Sequence, residues 1–342
     1  MLFFLLLCAQ QTDLFQQGDA GVHTYRIPAL IETRRGTLLA VADARHNNTR
    51  DLPGRISLVM RRSVDKGRTW SAMRTLREVP EAQGGVGDPS LLLDRTNGRI
   101  WCFHAFGPPG VGFFESTPEK PLRVHAIYSD DDGVSWSSAV DLTGQLMNPG
   151  FHGVFVTSGT LIQTRTGRML LPLVVRDSAA KQMHARNAYS DDHGKSWRVG
   201  AAIGLDTDES HNVELADGSI AQNMRPAKGV ARLIAKSTDG GANFGPVVAD
   251  AELVDPGCNA GITRHKGRLV FTNAASASKR ERLTIRTSRD EGKSWDWSRV
   301  LHEGPAAYST VIVLRDGSVG VLYERGEKSS VERITFVRLK LP

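Results

Sequence analysis

The sequence predicts an all-β protein, a six-bladed β-propeller, from three observations. An eight-residue turn pattern recurs five times along the 342 residues. Its copies begin about 50 to 65 residues apart, which is the length of a four-stranded antiparallel blade with its loops. Short apolar runs separate the turns, and no segment keeps the 3.6-residue periodicity of an amphipathic helix.

The repeated pattern has the chemistry of a hairpin turn. Its Asp side chain accepts hydrogen bonds from the turn backbone, its Gly allows positive φ, and its aromatic residue packs beneath the turn. These turns therefore mark the fold rather than a catalytic site. Four copies are complete and one is degenerate: Ser63–Trp70, Ser129–Trp136, Ser190–Trp197, Ser288–Trp295 and the degenerate Ser237–Phe244.

The two ends of the chain complete the predicted organisation. The alternating segment Ile334–Leu341 is expected to close the ring against a strand from the N-terminal blade. Residues 13–342 are predicted to form one domain, because no linker interrupts them. Residues 1–12 are expected to be a leader or a signal-peptide remnant, with an apolar run, Leu2–Ala9, that is too short to span a bilayer. An incorrectly placed start is the alternative.

Composition narrows the class of partner. The formal net charge is +6 and the pI about 9.3, but the basic residues are dispersed, which argues against nucleic-acid binding and suits an anionic small substrate. Besides Cys8 in the leader, only Cys102 and Cys258 are present, so no disulfide framework is expected. The leader predicts a secreted, periplasmic or cell-surface location without stable membrane insertion, with a cytoplasmic location as the alternative.

One N-terminal motif gives the repeats a functional context. Arg26-Ile27-Pro28, followed by repeated Ser-x-Asp-x-Gly-x-Thr/Ser-Trp turns, resembles the exo-sialidases (neuraminidases) of the bacterial and animal type. The resemblance covers the chain from about Asp13 to its end. It implies a six-bladed propeller that acts on sialylated glycans and needs no cofactor.

The resemblance implies three arginines that bind the carboxylate of sialic acid. Forked guanidinium donors match a planar carboxylate in a bidentate way. Arg26 corresponds to the first arginine and Arg225, in Asn-Met-Arg, to the second. Arg280 corresponds to the third, with Arg282 as the alternative.

The family uses a tyrosine nucleophile in place of a carboxylate. A neutral phenol activated by a neighbouring base avoids the repulsion that a carboxylate nucleophile would meet at an anomeric carbon bearing its own carboxylate. Tyr308, in Gly-Pro-Ala-Ala-Tyr, resembles this nucleophile. Glu209 resembles its base, and Glu214 is the alternative.

The remaining site residues are also implied by the resemblance. Asp51, in a segment of loop composition before Pro53-Gly54, resembles the general acid/base. Arg45 and Asp88 resemble the pair that contacts the ring hydroxyl at C4. Glu324 resembles the carboxylate that orients the first arginine.

Two parts of the pocket stay open. The segment Asn148–Gly153 resembles an altered glycine-rich loop of the family, which affects the side of the pocket that faces the glycerol chain or the leaving group. An apolar N-acetyl pocket is expected, but the sequence does not choose among its candidate lining residues, Trp101, Phe106, Met147 and Phe155.

Other chemistries lack their signatures. The ten histidines include no His-Glu-x-x-His, and neither body cysteine has zinc-ligand spacing, so no catalytic metal is predicted. His104 is interpreted as a strand residue that lines the funnel. The leading hypothesis is a retaining exo-α-sialidase; the alternatives are sialyl transfer, a related nonulosonic acid as substrate, and a non-catalytic glycan-binding propeller.

Overall fold

Antiparallel four-stranded blades make up the chain in this computed structural model, which describes residues 11–177 and 182–342. The first ten residues of the predicted leader lie outside the described residues, and the strand β1 (Gln11–Gln16) begins two residues before the predicted domain start. Blade 1 contains β2 (Thr24–Glu32), β3 (Leu38–Arg45), β4 (Ile56–Ser63) and β5 (Arg74–Arg77). Blade 2 contains β6 (Gly85–Leu93), β7 (Ile100–Gly107), β8 (Arg123–Ser129) and β9 (Val140–Asp141).

The third and fourth blades follow the same plan. A short helix, α1 (Thr143–Leu146), leads into blade 3. Blade 3 contains β10 (Phe151–Val156), the two-residue strand β12 (Ile162–Gln163), β13 (Met169–Asp177), β14 (Met183–Ser190) and β15 (Arg198–Val199). The two-residue strand β11 (Gly159–Thr160), between β10 and β12, pairs parallel with β6 of blade 2. Blade 4 contains β16 (Thr207–Glu214), β17 (Ile220–Pro226), β18 (Ala231–Ser237) and β19 (Val248–Val254).

The last two blades share one long strand. The strands in this region are β20 (Gly261–His265), β21 (Arg268–Ala274), β22 (Glu281–Ser288), β23 (Trp297–Val313), β24 (Val319–Arg325) and β25 (Arg333–Leu339). The first part of β23, from Trp297 to Pro305, pairs with β22 and completes blade 5. Its second part, from Ala306 to Val313, pairs with β24 and begins blade 6. The described residues therefore form six blades, which confirms the predicted propeller.

The chain ends meet in blade 6. The predicted closing segment lies in β25, which pairs antiparallel with β1. The N-terminal strand is thus the outer strand of the last blade and not part of blade 1. This arrangement ties the two ends of the chain together with backbone hydrogen bonds, so the ring has no free seam.

Apolar side chains fill the spaces between neighbouring blades. One core cluster joins blade 6 to blade 1, with Phe336 against Leu38 and Ala40. Another joins blades 2 and 3, with Trp101 and Phe103 at its centre. Four further clusters occupy the other blade interfaces. Successive side chains of a strand point to opposite faces of the blade, and both faces are covered by neighbouring blades. Every blade therefore supplies apolar groups to two neighbours.

The five repeated turns connect the third and fourth strands of blades 1 to 5. In the first, Asp65 accepts hydrogen bonds from Ser63 Oγ at 2.8 Å and from Thr69 N at 2.9 Å. The hydrogen bonds from Thr69 lower the pKa of the Asp65 carboxyl to about 2. Because neighbouring strands of a blade are antiparallel, these five turns lie at the end of the propeller opposite the starts of the first strands.

Candidate active site

Backbone irregularities at the starts of the innermost strands aim the predicted site residues at one end of the propeller. The register with the second strand shifts between Arg26 and Ala29 in β2, and again between Ala306 and Ser309 in β23. Similar shifts occur in β6 and β16. Ile27 and Asp88 have positive φ, at 60° and 59°. Such bulges turn a side chain away from the regular alternation of a strand.

Tyr308 and Glu209 form a buried acid–base pair. Tyr308 Oη donates a hydrogen bond to Glu209 Oε2 at 2.5 Å. Burial raises the pKa of the Tyr308 phenol well above its usual range, and the negative charge of Glu209 adds to that effect. Burial also raises the pKa of Glu209, while Arg225, whose Nη1 lies 2.7 Å from Glu209 Oε2, opposes the rise. The phenol is therefore placed to transfer its proton to a carboxylate of increased basicity.

Three arginines surround the Tyr308 ring. The guanidinium carbons of Arg26 and Arg280 lie 5.1 and 5.5 Å from the ring centroid. Arg225 Nη1 lies 3.2 Å from Tyr308 Oη. The structure thus brings together the three predicted arginines, which come from different blades. Their combined positive charge, next to one phenol, suits the binding of a planar anion.

The two alternative residues lie elsewhere. Arg282 is 58% exposed and pairs at 3.6 Å with Glu303, whereas Arg280 donates to the Gly257 carbonyl at 2.9 Å beside the pocket. Glu214 forms an ion pair with Arg165, at 3.0 Å. The geometry therefore favours Arg280 and Glu209 over these alternatives.

Asp51 occupies the loop between β3 and β4 at the mouth of the site. Its Oδ1 lies 2.6 Å from Arg45 Nη2, and its side chain is 73% exposed. Arg45 is itself buried and also donates to Asp43 Oδ2, at 3.1 Å. The exposed carboxylate is thus fixed at one end by a buried arginine and is open to solvent at the other.

Asp43 joins Arg45 to Asp88. Its Oδ1 accepts the backbone N–H of Asp88 at 3.0 Å, while its Oδ2 accepts from Arg45. Burial raises the pKa of Asp43 to about 6, against the effect of Arg45. Burial and the charge of Asp43 also raise the pKa of Asp88 well above its usual range. Arg45 and Asp88 were predicted site residues, but the carboxylate between them was not.

Part of this group of residues lines a cavity of about 630 Å³, whereas Arg26, Arg45 and Arg280 are not among its lining residues. Its lining has polar members, which include Asp51, Asp88, Glu209, Arg225 and Tyr308. Its apolar members include Leu52, Phe113, Phe114, Leu122, Phe155 and Met183. Of the four candidates for an N-acetyl pocket, Phe155 alone is among the described residues that line this cavity.

The other predicted pocket residues lie behind the wall. Trp101 and Met147 belong to the core between blades 2 and 3. Phe106 stacks on His125, at 4.9 Å between ring centroids. His104 is buried in β7 and also packs against His125, so the prediction that it lines the funnel was wrong. In the segment Asn148–Gly153, Gly153 lies so near Phe113 that a Cβ built on it would meet the Phe113 carbonyl and ring.

Several contributors to the site had little sequence signal. Asp208 lies 3.4 Å from Arg225 Nε, and its Oδ1 accepts the backbone N–H of Glu209 at 2.8 Å. Phe113 and Phe114 come from the loop between β7 and β8, which lies so near the Asp51 loop that a Cβ built on Gly112 would overlap the Leu52 carbonyl. The sequence signal for Asp208 was its position next to Glu209. Phe113 and Phe114 reach the site through packing between distant segments, so the sequence contained no local signal for them.

The polar groups of the site do not form a metal-binding cluster. Within residues 11–177 and 182–342, no group of three or more His, Cys, Asp or Glu side chains is arranged to hold a metal ion. In the same part of the chain, none of the helices has the length and apolar character needed to span a bilayer.

Comparison with known proteins identifies the family and the fold of this chain. The BNR repeat-like domain family matches residues 36–321. A sialidase of Micromonospora viridifaciens is 38% identical over 92% of this chain and 52% of its own length. The chain thus spans about half the length of that relative.

Solved structures give the same result. The Hadza microbial sialidase Hz136 superposes with a TM-score of 0.90 at 31% identity, covering 97% of this chain and 68% of that one. The intramolecular trans-sialidase of Ruminococcus gnavus, solved with oseltamivir carboxylate, shares the fold, with a TM-score of 0.85 at 19% identity over 96% of this chain and 97% of that one. The fold is that of a propeller glycoside hydrolase. This chain belongs to the sialidase family.

Proposed function

We propose that the protein is a retaining exo-α-sialidase, which releases terminal α-linked sialic acids from glycoproteins, glycolipids and oligosaccharides. The 2.5 Å hydrogen bond between Tyr308 and Glu209, inside a ring of three arginines, carries this proposal. It joins an activated phenol to an anion-binding site, and both are needed for attack on an anomeric carbon that bears a carboxylate.

Substrate binding depends on the arginines. Arg26, Arg225 and Arg280 would receive the sialic acid carboxylate, and their charges would be partly desolvated by the pocket wall. Glu324 fixes Arg26 through two hydrogen bonds of 3.0 Å, from Nε and Nη2, and Nη1 would remain to bind the substrate. Arg45 and Asp88 would contact the ring hydroxyl at C4. The apolar wall that includes Phe155 would receive the N-acetyl group.

The first chemical step forms a covalent intermediate. Tyr308 Oη attacks the anomeric carbon and gives its proton to Glu209, while the bond from that carbon to the leaving oxygen breaks. Asp51 donates a proton to the leaving oxygen, so the aglycone departs as a neutral alcohol. Arg225, within 3.2 Å of the phenol oxygen, stabilises the negative charge that develops there.

Water then completes the cycle. Asp51, now ionised, removes a proton from water as the water attacks the anomeric carbon. The bond to Tyr308 breaks, and Glu209 returns a proton to the phenolate. Two inversions at the same carbon give α-sialic acid with retained configuration.

Hydrolysis is favoured over sialyl transfer by the exposure of the acid/base. The Asp51 side chain is 73% exposed, so water reaches the carboxylate that must activate it. Transfer requires a site from which water is excluded. Products formed in excess lactose separate the outcomes: hydrolysis gives free sialic acid, transfer gives sialyl-lactose, and internal transfer gives a product lighter by one water.

Release of fluorophore from a 4-methylumbelliferyl sialoside tests the assignment. Tyr308→Phe should lower turnover by at least about a thousandfold, because the nucleophile is lost. Tyr323→Phe is the matched control: its hydroxyl is buried and has no hydrogen-bond partner among the described residues, so activity should be retained. A folded Tyr308→Phe variant with wild-type turnover would refute the proposed mechanism.

A further inference from the structure

A fourth arginine and an aspartate form a buried ion pair behind the three arginines of the site. Arg232, in β18, and Asp255, just after β19, are both 0% exposed, with 3.3 Å between Nη1 and Oδ2. Neither residue lines the 630 Å³ cavity. Because neither side chain is exposed, any effect of this pair on the reaction must pass through the groups that it holds.

The ion pair forms hydrogen bonds with both the backbone N–H groups and a carbonyl of the loop Asp255–Cys258. Asp255 Oδ1 accepts the backbone N–H of Gly257 at 2.9 Å and that of Cys258 at 2.8 Å. Arg232 Nη1 donates to the Cys258 carbonyl at 2.7 Å. Since both sides of the peptide chain are bound, the loop has little freedom to rotate.

This loop supports two predicted site residues. The Gly257 carbonyl accepts a hydrogen bond from Arg280 Nη2 at 2.9 Å. The Cys258 side chain packs in a buried cluster with Ile27 and Tyr308. One rigid loop thus places the guanidinium of Arg280 and supports the ring of the nucleophile.

Arg232 also forms hydrogen bonds to the strand that carries Arg225. Its Nε donates to Asn223 Oδ1 at 2.6 Å and its Nη2 to the Asn223 carbonyl at 3.4 Å. Asn223 precedes Arg225 by two residues, so both side chains lie on the same face of β17. A single guanidinium therefore links the supports of Arg225 and Arg280.

Stability alone is a poor explanation for such a pair. Two charges taken out of water cost several kcal/mol each, and well-packed apolar residues often replace a buried ion pair without loss of stability. We propose that Arg232 and Asp255 are positioning residues, which fix the loop Asp255–Cys258 so that Gly257 holds Arg280 beside Tyr308. This role rests on the function proposed above.

Arg232→Lys tests the role with the charge retained. A lysine ammonium cannot span Asn223 Oδ1 and the Cys258 carbonyl in the way that a planar fork does. Because Arg280 would bind the carboxylate in both the ground state and the transition state, we expect KM to rise about tenfold while kcat changes less than about threefold. A lower kcat at unchanged KM indicates loss of active protein and would overturn the proposal.

A double-mutant cycle with Arg280→Ala shows whether the effect passes through Arg280. In that background, Arg232→Lys should lower kcat/KM by a clearly smaller factor than in the wild type, because Arg280 is absent and only the support of Arg225 and Tyr308 is still affected. An equal effect of Arg232→Lys in both backgrounds would contradict positioning. Asn223→Ala provides a milder variant if Arg232→Lys fails to fold, because Asn223 Nδ2 has no partner among the described residues and only the bond to Arg232 is lost.

Crystal structures of the wild type and of the substituted proteins separate this proposal from the function. In Arg232→Lys, or in Asn223→Ala, the distance between Arg280 Nη2 and the Gly257 carbonyl should be longer than the 2.9 Å of the wild type. An unchanged 2.9 Å contact in the variants would overturn the positioning role, whatever the activity. If the wild type hydrolyses no sialoside and the contact is nevertheless lost in the variants, positioning holds and the sialidase function fails.

Discussion

Glu324 binds Arg26 with both carboxylate oxygens, at 3.0 Å to Nε and 3.0 Å to Nη2. The same carboxylate accepts the backbone N–H of Ile27 at 2.8 Å and that of Tyr308 at 3.2 Å. It is fully buried. One side chain of blade 6 therefore fixes the bulge of blade 1, the first arginine and the backbone of the nucleophile, so its charge and its geometry serve several groups together.

Glu324→Gln should impair both stability and activity. The amide keeps the shape but leaves the Arg26 charge buried without a counterion, which costs about 3–5 kcal/mol in comparable pairs. We expect the free energy of unfolding in urea to fall by an amount of this order. We also expect kcat/KM to fall about a hundredfold, because Arg26 and Tyr308 lose their alignment.

Glu291→Gln is the matched control for this variant. Glu291 also receives two hydrogen bonds from one arginine, Arg264, but this pair is partly exposed and distant from the site. A partly exposed pair contributes about 1 kcal/mol or less, so a small change in stability and wild-type activity are expected. Equal losses in Glu324→Gln and Glu291→Gln would contradict the special role of the buried pair.

The acid limb of the pH–activity profile should follow Glu209. This carboxyl must be ionised to accept the Tyr308 proton, and its pKa is raised by burial, lowered by Arg225 and raised by Asp208. We therefore expect kcat/KM to decline as the pH falls through a pKa above the ordinary 4.5 of glutamate.

Two substitutions should move this limb in opposite directions. Arg225→Gln removes the charge that lowers the Glu209 pKa, so the limb should move to higher pH, in addition to weaker substrate binding. Asp208→Asn removes a charge that raises the pKa, so the limb should move to lower pH. Profiles of kcat/KM from pH 4 to 8 measure both shifts. If the acid limb moved in the same direction in both variants, a group other than Glu209 would control the profile.

Asp43 should make the folded state less stable as the pH rises from about 4 to 6. Burial raises its pKa to about 6 in the folded state, above the ordinary aspartate value of 3.8. The folded state therefore binds the proton more tightly than the unfolded chain. This contribution to stability is complete below the unfolded pKa and is lost as the pH rises through the folded one.

Urea unfolding of the wild type and of Asp43→Asn at pH 4.5 and pH 7 measures this contribution. The wild type should lose more stability between the two pH values than Asp43→Asn does. Asp316→Asn serves as the control, because hydrogen bonds from Ser318 lower the pKa of Asp316 to about 2 and its titration lies below this range. A wild type and an Asp43→Asn variant with identical pH dependence would contradict the raised pKa.

The fold was predictable because its signals are local. Each repeated turn is closed by its own residues, as in the hydrogen bonds from Ser63 and Thr69 to Asp65, so the pattern is visible in eight consecutive letters. The spacing of the turns then sets the number of blades. Arg26 and Tyr308 were found because short motifs surround them.

The remaining parts of the site depend on contacts between distant segments. Asp43 acts on the backbone of Asp88 in the next blade, and Arg232 acts on the carbonyl of Cys258 across a loop. No local pattern distinguishes these side chains from ordinary strand residues. Phe106 was a plausible pocket residue from its position in the sequence, but its ring stacks on His125. The sequence alone does not show which face of the strand a given residue occupies.

Gly67 links the local turn chemistry to closure of the ring. It has φ of 82° in the first repeated turn, and a Cβ built on it would overlap the ring of Phe336, in β25 of blade 6. The turn of blade 1 thus lies directly on the strand that joins the two ends of the chain. Gly267, in the turn between β20 and β21, has a similar φ of 79°, but nothing lies within 4 Å of the position of its Cβ.

Comparison of Gly67→Ala with Gly267→Ala separates backbone strain from the close packing of blades 1 and 6. Both substitutions force alanine into the left-handed region, at a cost of about 1 kcal/mol. Gly67→Ala must in addition displace the Phe336 ring, and overpacking of a core typically costs about 1–3 kcal/mol more. Urea unfolding should therefore show Gly67→Ala as the less stable protein by that difference. Equal stabilities would mean that the contact between Gly67 and Phe336 does not constrain ring closure.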